Sequence, residues 1–211
     1  MIFIDFDDVL FNTKRFKEDL QNLFFQHGIS REVFEKYYHN PDQKKILKTY
    51  DPWNHLEMIR KGEGIDTEKA KKELEEFMVD TTAYLFGDSR NFLKSFSGEF
   101  VCIVSYGESQ FQEMKIGECG IGTYCEKVQI TDELKSMVIE KILKDKNPQD
   151  ENVFFIEDRI EQIEDVKKKF PFVKTIFMRR SEGRYHDALT QFCDFEAASL
   201  KEAEGIINSL K

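Results

Sequence analysis

Ile2-Phe3-Ile4-Asp5-Phe6-Asp7-Asp8-Val9-Leu10 sets a short apolar run directly against a cluster of acids. Consecutive apolar residues that break into turn-forming polar ones read as a buried strand running into a loop. Asp5 and Asp7 lie two apart at its end, so in extended backbone both side chains point the same way. A phosphoryl-transfer enzyme needs a carboxylate nucleophile and a second carboxyl to shuttle a proton, and this pair offers both. An Asp-rich turn after a strand is the plainer reading of the same residues. Asp8 is expected to face away and cap the following turn.

Outward from this strand the next stretch reads as helical throughout. Phe16, Leu20, Leu23 and Phe24 recur at helical spacing and Gly28 ends that helix. Ser30 can cap a short helix with Val33, Phe34 and Tyr37 inward. Asp51-Pro52 starts another, because Asp accepts free amides and Pro suits the first helical position. A long helix is then expected to carry Ala70, Leu74, Phe77, Met78 and Leu85 on one face, stopping near Gly87. From about Phe100 the texture changes. Phe100–Val104, Lys127–Ile130, Asn152–Ile156 and Val173–Met178 read as strands, the second of them edge-like. Between the second and third lies a helix with Leu134, Met137, Val138, Ile142 and Leu143 at 3- and 4-residue steps, and a helix from about Leu200 closes the chain. Strands alternating with helices imply an α/β fold, a parallel sheet covered on both faces. Residues 1–13 and 91–211 then form the core, and 14–90 an all-helical insert placed as a lid beside the strand-end acids.

The later strand ends carry chemistry as well. Ser105 ends its strand with a hydroxyl that can hold a phosphate oxygen, although a lone Ser there is usually a turn former. Lys135 falls in the first turn of its helix, where a cation opposes the helix dipole at a cost of about 0.3–1 kcal/mol. A bound phosphate compensates that cost; a solvated surface lysine is the rival reading. Lys127 begins a strand and Lys141 lies too far down the helix to compete. Glu157-Asp158 ends the next strand, with Glu161 one turn on; the pair can supply hard oxygen ligands to Mg²⁺ or cap the following helix.

In this order Asp5-Phe6-Asp7-Asp8-Val9-Leu10, Ser105, Lys135 and Glu157-Asp158 resemble the four signatures of the haloacid dehalogenase superfamily, over essentially the whole chain. The helical insert is similar to that superfamily's type-1 cap, and the core to its Rossmann-like three-layer fold. The resemblance implies an Mg²⁺-dependent phosphatase acting through an aspartyl phosphate. Asp5 is then the nucleophile and a metal ligand. Asp7 is the acid–base residue and binds the metal through its carbonyl. Ser105 and Lys135 hold the phosphoryl oxygens, and Asp158 completes the metal site. Of three crowded carboxylates, those on the metal stay ionised, which leaves Asp7 to carry the proton. Tyr106 and Arg159 depart from the residues usual at their positions. The dehalogenase branch lacks the second Asp, so Asp7 speaks against it. A phosphomutase with the same signatures and a binding protein that keeps only the fold are the alternatives; a receiver domain lacks the insert.

A formal net charge of -9 argues against nucleic-acid or anionic-membrane partners. No apolar run approaches the roughly 20 residues that span a bilayer. The expected partner is a small phosphorylated metabolite, and the expected protein a cytoplasmic monomer or weak homodimer. Cys102, Cys119, Cys125 and Cys193 show no paired spacing and read as free thiols. Arg15, Tyr37, Tyr38, Trp53, His55, Arg60 and Lys61 are candidates for substrate contact, with most aromatics expected in the bundle core.

Overall fold

A computed structural model describes residues 1–38, 49–146 and 152–211; residues 39–48 of the 14–90 segment lie outside the described residues. Strands β1 (Ile2–Ile4), β2 (Val101–Tyr106), β3 (Lys127–Thr131), β4 (Phe154–Glu157), β5 (Lys174–Met178) and β6 (Phe195–Ala197) form one sheet in the order β3-β2-β1-β4-β5-β6. Every pairing in it is parallel. Helices α1 (Thr13–Gln26), α2 (Arg31–Tyr38), α3 (Pro52–Glu63) and α4 (Glu68–Phe77) separate β1 from β2, followed by α5 (Ser89–Ser95). Further along are α6 (Ser109–Glu118), α7 (Lys135–Lys146), α8 (Ile160–Lys169) and α9 (Leu200–Ser209). Lys127–Thr131 is indeed an edge strand. The three-residue strand β6 has too little periodicity to be read from sequence.

The apolar strand runs are explained by a sheet buried on both faces. Alternation along each strand divides the core in two. Ile2, Ile4, Val101, Ile103, Phe154 and Ile156 join one cluster, together with α5, α6, α9 and the apolar stripes of α1 to α4. Phe3, Cys102, Val104 and Phe155 face the other, closed by Ile139, Ile142 and Leu143 of α7 and Ile163 and Val166 of α8. The four cysteines are free thiols. Among the described residues no helix is long and apolar enough to cross a membrane.

Helix ends follow their local chemistry. Asp51 accepts from the amides of Trp53 and Asn54 (2.9 and 3.1 Å), and Ser30 from that of Val33 (3.2 Å). The long helix expected through Leu85 stops at Phe77 instead. Asp80 takes the Thr82 amide at 2.8 Å and Thr81 donates to the Lys115 carbonyl at 2.8 Å, and such side-chain bonds compete with helical ones. Leu85 then pairs with Phe11, and the Phe86 amide donates to the Leu10 carbonyl, so the stretches just before α1 and just before α5 run side by side. Helix α7 buries Ile142 and Leu143 as expected, but Met137 and, just before the helix, Leu134 are exposed, while Lys135, Ser136 and Ile139 turn inward.

Candidate active site

The central strand sets the site. Ile4 is in register with Ile103 of β2 and Ile156 of β4, and the Asp5 amide donates to the Ile156 carbonyl at 2.9 Å. Asp5 therefore emerges beside Glu157, at the carboxyl edge where an open parallel sheet takes its ligands. Between Phe6 and Phe11 the chain makes a tight turn, with Leu10 and Phe11 amides both on the Phe6 carbonyl and Asp8 in the left-handed region at φ 56. That turn brings Asp7 back over the strand end. Asp8 is buried, and Arg184 Nε donates to its Oδ2 at 2.5 Å.

Asp5, Asp7, Lys135 and Asp158 line one small cavity of about 50 Å³. Lys135 Nζ donates to Asp5 Oδ1 at 2.5 Å and Glu157 Oε2 at 2.6 Å, which is why α7 turns this lysine inward. Glu157 has no spare oxygen, since its Oε1 also accepts from the amides of Asp158 and Arg159, both at 3.1 Å. It holds Lys135 and the strand end in place. Arg159 pairs with Glu161 at the surface. Ser105 is fully buried and borders neither this cavity nor the larger cleft beside it; its Oγ accepts from Gln112 Nε2 at 2.9 Å. Tyr106 occupies the cavity wall instead.

Burial, then the charge of Glu157, raises the Asp5 carboxyl to about 8, despite Lys135. Asp158 is raised well above its ordinary value by burial, Glu157 and Asp5. Burial opposes the charge of Lys135 too, but Asp5 and Glu157 outweigh it and raise its pKa. Asp7 differs. Burial again works against its charge, yet Lys115, Arg184 and its hydrogen bonds bring it down to about 2. Lys115 Nζ and Thr13 Oγ1 both donate to its Oδ1 at 2.5 Å, and Gln112 Nε2 to its Oδ2 at 2.6 Å. The carboxyl that sequence reasoning left free to carry a proton is, in the protein alone, a triply bonded carboxylate. Gly107 makes this possible: a Cβ there would lie 2.6 Å from Gln112 Cγ.

Lys115, Gln112, Thr13 and Arg184 escaped the sequence reading. Lys115 and Gln112 carried a faint signal, polar residues on the same face of α6 as Phe111 and Ile116. Arg184 carried none, being in an aperiodic loop. Of the candidates for substrate contact, Tyr38 borders the larger cleft. His55 is enclosed against the Phe34 carbonyl and the Tyr50 hydroxyl. Tyr37 bonds Glu63, Arg60 and Lys61 pair with Glu57, Arg15 reaches the Ala83 carbonyl, and Trp53 meets Phe111 edge-on.

Lys115→Met is expected to leave the Asp7 carboxylate buried without its main partner. Breaking a buried pair from one side costs about 3–5 kcal/mol. In a chain of this length that lowers Tm by roughly 6–20 °C. Thermal unfolding of Lys115→Met against the double variant with Asp7→Asn checks this: the double variant recovers much of the loss, and no recovery would mean the pair is not the cause.

Carboxylate oxygens of Asp5, Glu157 and Asp158 lie within 4.8 Å of one another, all three residues buried. Asp158 Oδ2 is buried without a hydrogen-bond partner among the described residues. With one lysine against three acids and hard oxygen donors throughout, the residues fit a small divalent cation. Since Glu157 is taken up by Lys135 and two amides, Asp5 and Asp158 are the oxygens left to hold it.

The family model for haloacid dehalogenase-like hydrolases matches residues 1–169. No curated protein gives a significant match. Among solved structures, a haloacid dehalogenase-like hydrolase from Burkholderia xenovorans is 16% identical over 99% of this chain and 96% of its own, with a TM-score of 0.76. Magnesium-bound YfnB, a HAD-hydrolase from Bacillus subtilis, is 12% identical over 98% of this chain and 97% of its own, with a TM-score of 0.64. L-2-haloacid dehalogenase from Xanthobacter autotrophicus is 12% identical over 100% of this chain and 98% of its own, with a TM-score of 0.63. At these identities the likeness is one of fold, and it is the family match over residues 1–169 that makes this chain a member of the haloacid dehalogenase-like hydrolases.

Proposed function

We propose that the chain is a divalent-metal-dependent phosphomonoester hydrolase with Asp5 as nucleophile and Asp7 as acid–base residue. The observation that carries this reading is Asp7, a second carboxylate on the same cavity as Asp5. Asp5 attacks phosphorus, the ester P–O bond breaks, and the leaving alkoxide takes a proton from Asp7. Water then attacks the aspartyl phosphate and gives a proton back to Asp7, freeing Asp5 and inorganic phosphate. Lys135 orients the Asp5 carboxylate and presents its ammonium to a phosphoryl oxygen. Ser105 acts from behind Gln112, holding that side chain on Asp7. The resting Asp7 carboxylate suits the water-activating half of the cycle; for the first half one of its donors must give way to a proton.

Asp5 and Asp158, with the Asp7 carbonyl, are the groups to hold Mg²⁺, which would offset the repulsion between an anionic nucleophile and an anionic phosphoryl group. Metal-free, a carboxyl with a pKa near 8 is a poor nucleophile at neutral pH. The sign of the linked stability follows. Between about pH 4 and pH 8 the folded protein holds a proton on Asp5 that the unfolded chain has lost, so metal-free stability falls as pH rises through that window. A cation competing with that proton should therefore raise Tm more at pH 8 than at pH 5. Equal increments in calorimetry at both values would place the cation elsewhere.

L-2-haloacid dehalogenation is the second reading, favoured by the fold neighbours. A departing halide needs no proton, so that chemistry would use Asp7 only for the water that hydrolyses the aspartyl ester, and it has no phosphoryl charge for a metal to offset. A panel of phosphomonoesters with Mg²⁺, run beside L-2-haloacids, separates the two. We expect phosphate release that exhaustive chelation abolishes. Chloride release without phosphate release, or phosphate release indifferent to chelation, would overturn the proposal.

The 14–90 segment serves in this reading as the lid over the site, and whether it admits water or an acceptor hydroxyl to the aspartyl phosphate separates a hydrolase from a phosphomutase. Its α1 and Tyr38 form one wall of the larger cleft, and Gly107 and Phe111 of the sheet-bearing part form the other. Small-angle scattering with orthovanadate and Mg²⁺ should show a smaller radius of gyration than the metal-bound protein; superimposable curves would argue against closure.

A further inference from the structure

The small cavity opens at Asp7, Tyr106, Arg159, Arg184 and Tyr185 into a larger cleft of about 190 Å³, more room than a phosphoryl group needs. Part of its lining is apolar, from Phe16, Leu20, Tyr50 and Phe111. The charges around it run against those of the whole chain. Four cations, Lys17, Lys115, Arg159 and Arg184, face two carboxylates, Asp7 and Glu108, in a protein of net charge -9. Lys115 is matched by Asp7, Arg159 pairs with Glu161, and Glu108 is occupied by the amides of Gln110 and Phe111. Lys17 makes no ion pair among the described residues, and Arg184 pairs with Asp8 through Nε alone.

Both are held in place without being used up. Lys17 Nζ sits 3.9 Å from the centre of the Tyr38 ring, a cation–π contact that leaves its protons available. Glu35 attracts it and Arg184 repels it, so two like charges share one opening. Arg184 is anchored through Nε on buried Asp8, and its guanidinium carbon lies 5.2 Å from the Tyr185 ring. Its terminal nitrogens make no hydrogen bond among the described residues. Lys17 lies one turn, about 6 Å along the axis, beyond Thr13 on α1, and Thr13 touches Asp7.

We propose that Lys17 and Arg184 form a second anion subsite, and that the substrate is a phosphomonoester carrying a distal acid group on a short apolar spacer. This rests on the phosphohydrolase reading, with the phosphoryl group in the small cavity, the spacer along Phe16 and Phe111, and the acid between the two cations. A carboxylate and a second phosphate share the required chemistry.

Calorimetric binding of non-hydrolysable phosphonates in Mg²⁺ tests the subsite without turnover. The probes are alkylphosphonates, ω-carboxyalkylphosphonates and alkane-α,ω-bisphosphonates of graded chain length. At the best length the distal acid should tighten binding about tenfold or more, as one charge-assisted hydrogen bond allows. Whichever acid binds tighter identifies the group. Lys17→Met should lower the acid-to-alkyl ratio several-fold, to what Arg184 alone supports, and Lys17→Arg should restore it. Lys14→Met, exposed on the same helix and outside the cleft, should keep it. No acid preference at any length, or an equal loss in Lys14→Met, would overturn the subsite. Hydrolysis of the matched phosphate esters is scored separately. Acid-selective, Lys17-dependent binding with no ester cleaved would sink the hydrolase reading and leave the subsite standing; brisk cleavage with no acid preference would do the reverse. Failure of every phosphonate to bind, with no ester cleaved, would overturn both.

Discussion

Asp5→Asn is expected to abolish phosphate release, by at least about 10⁴-fold, while the protein stays folded. An amide cannot form the acyl phosphate, and removing a nucleophile typically leaves only what binding and electrostatics contribute. The fold should tolerate the change because the Asn carbonyl still accepts from Lys135, which keeps Glu157 as its charged partner. The amide also replaces a carboxyl that in the metal-free protein is protonated below about pH 8 and charged only above it. Tm should therefore hold or rise in metal-free buffer, while the Mg²⁺-induced increment shrinks. Turnover within tenfold of wild type would place the nucleophile elsewhere.

Asp7→Asn is expected to slow alkyl phosphate hydrolysis by about 10²–10⁴-fold, the usual contribution of general acid–base catalysis. An aryl phosphate has a leaving group that needs no proton, so formation of the phosphoenzyme should suffer little and its breakdown much. Rapid-quench measurements should show a phosphoenzyme accumulating in the variant with the aryl substrate. Some destabilisation will accompany this. The new amide hydrogens would meet the Gln112 Nε2 donor, and Gln112 cannot reverse freely because its Oε1 accepts from Lys115 at 2.9 Å. That strain affects alkyl and aryl substrates alike, so the contrast between them isolates the proton step. Equal slowing for both, with no accumulation, would remove Asp7 from that role.

By itself the sequence determined the α/β class, the parallel sheet and a helical stretch after the first strand. The physical reason is that both signals are local. A strand buried on both faces must be apolar along its length, and an amphipathic helix must repeat at 3 or 4 residues. That Asp5, Lys135 and Asp158 would come together was legible for a related reason: each lies at the end of such an element, and in a parallel sheet strand ends converge on one edge. The tertiary structure decided what sits around them. Glu157 became an anchor for Lys135 rather than a spare ligand, because register placed it beside Asp5. Ser105 sank behind Gln112, because Gly107 lets that side chain approach. Asp7 gained its charge partner from Lys115, 108 residues away, and Asp8 from Arg184, 176 residues away. Neither partner leaves a periodic trace, since an ion pair formed across the fold depends on where two backbones meet. The helix expected to run through Leu85 was cut short by Asp80 and Thr81, one by a local bond and the other by reaching α6. Local pattern determines which elements form; the protonation and aim of the groups they carry are set by neighbours that only the packed chain supplies.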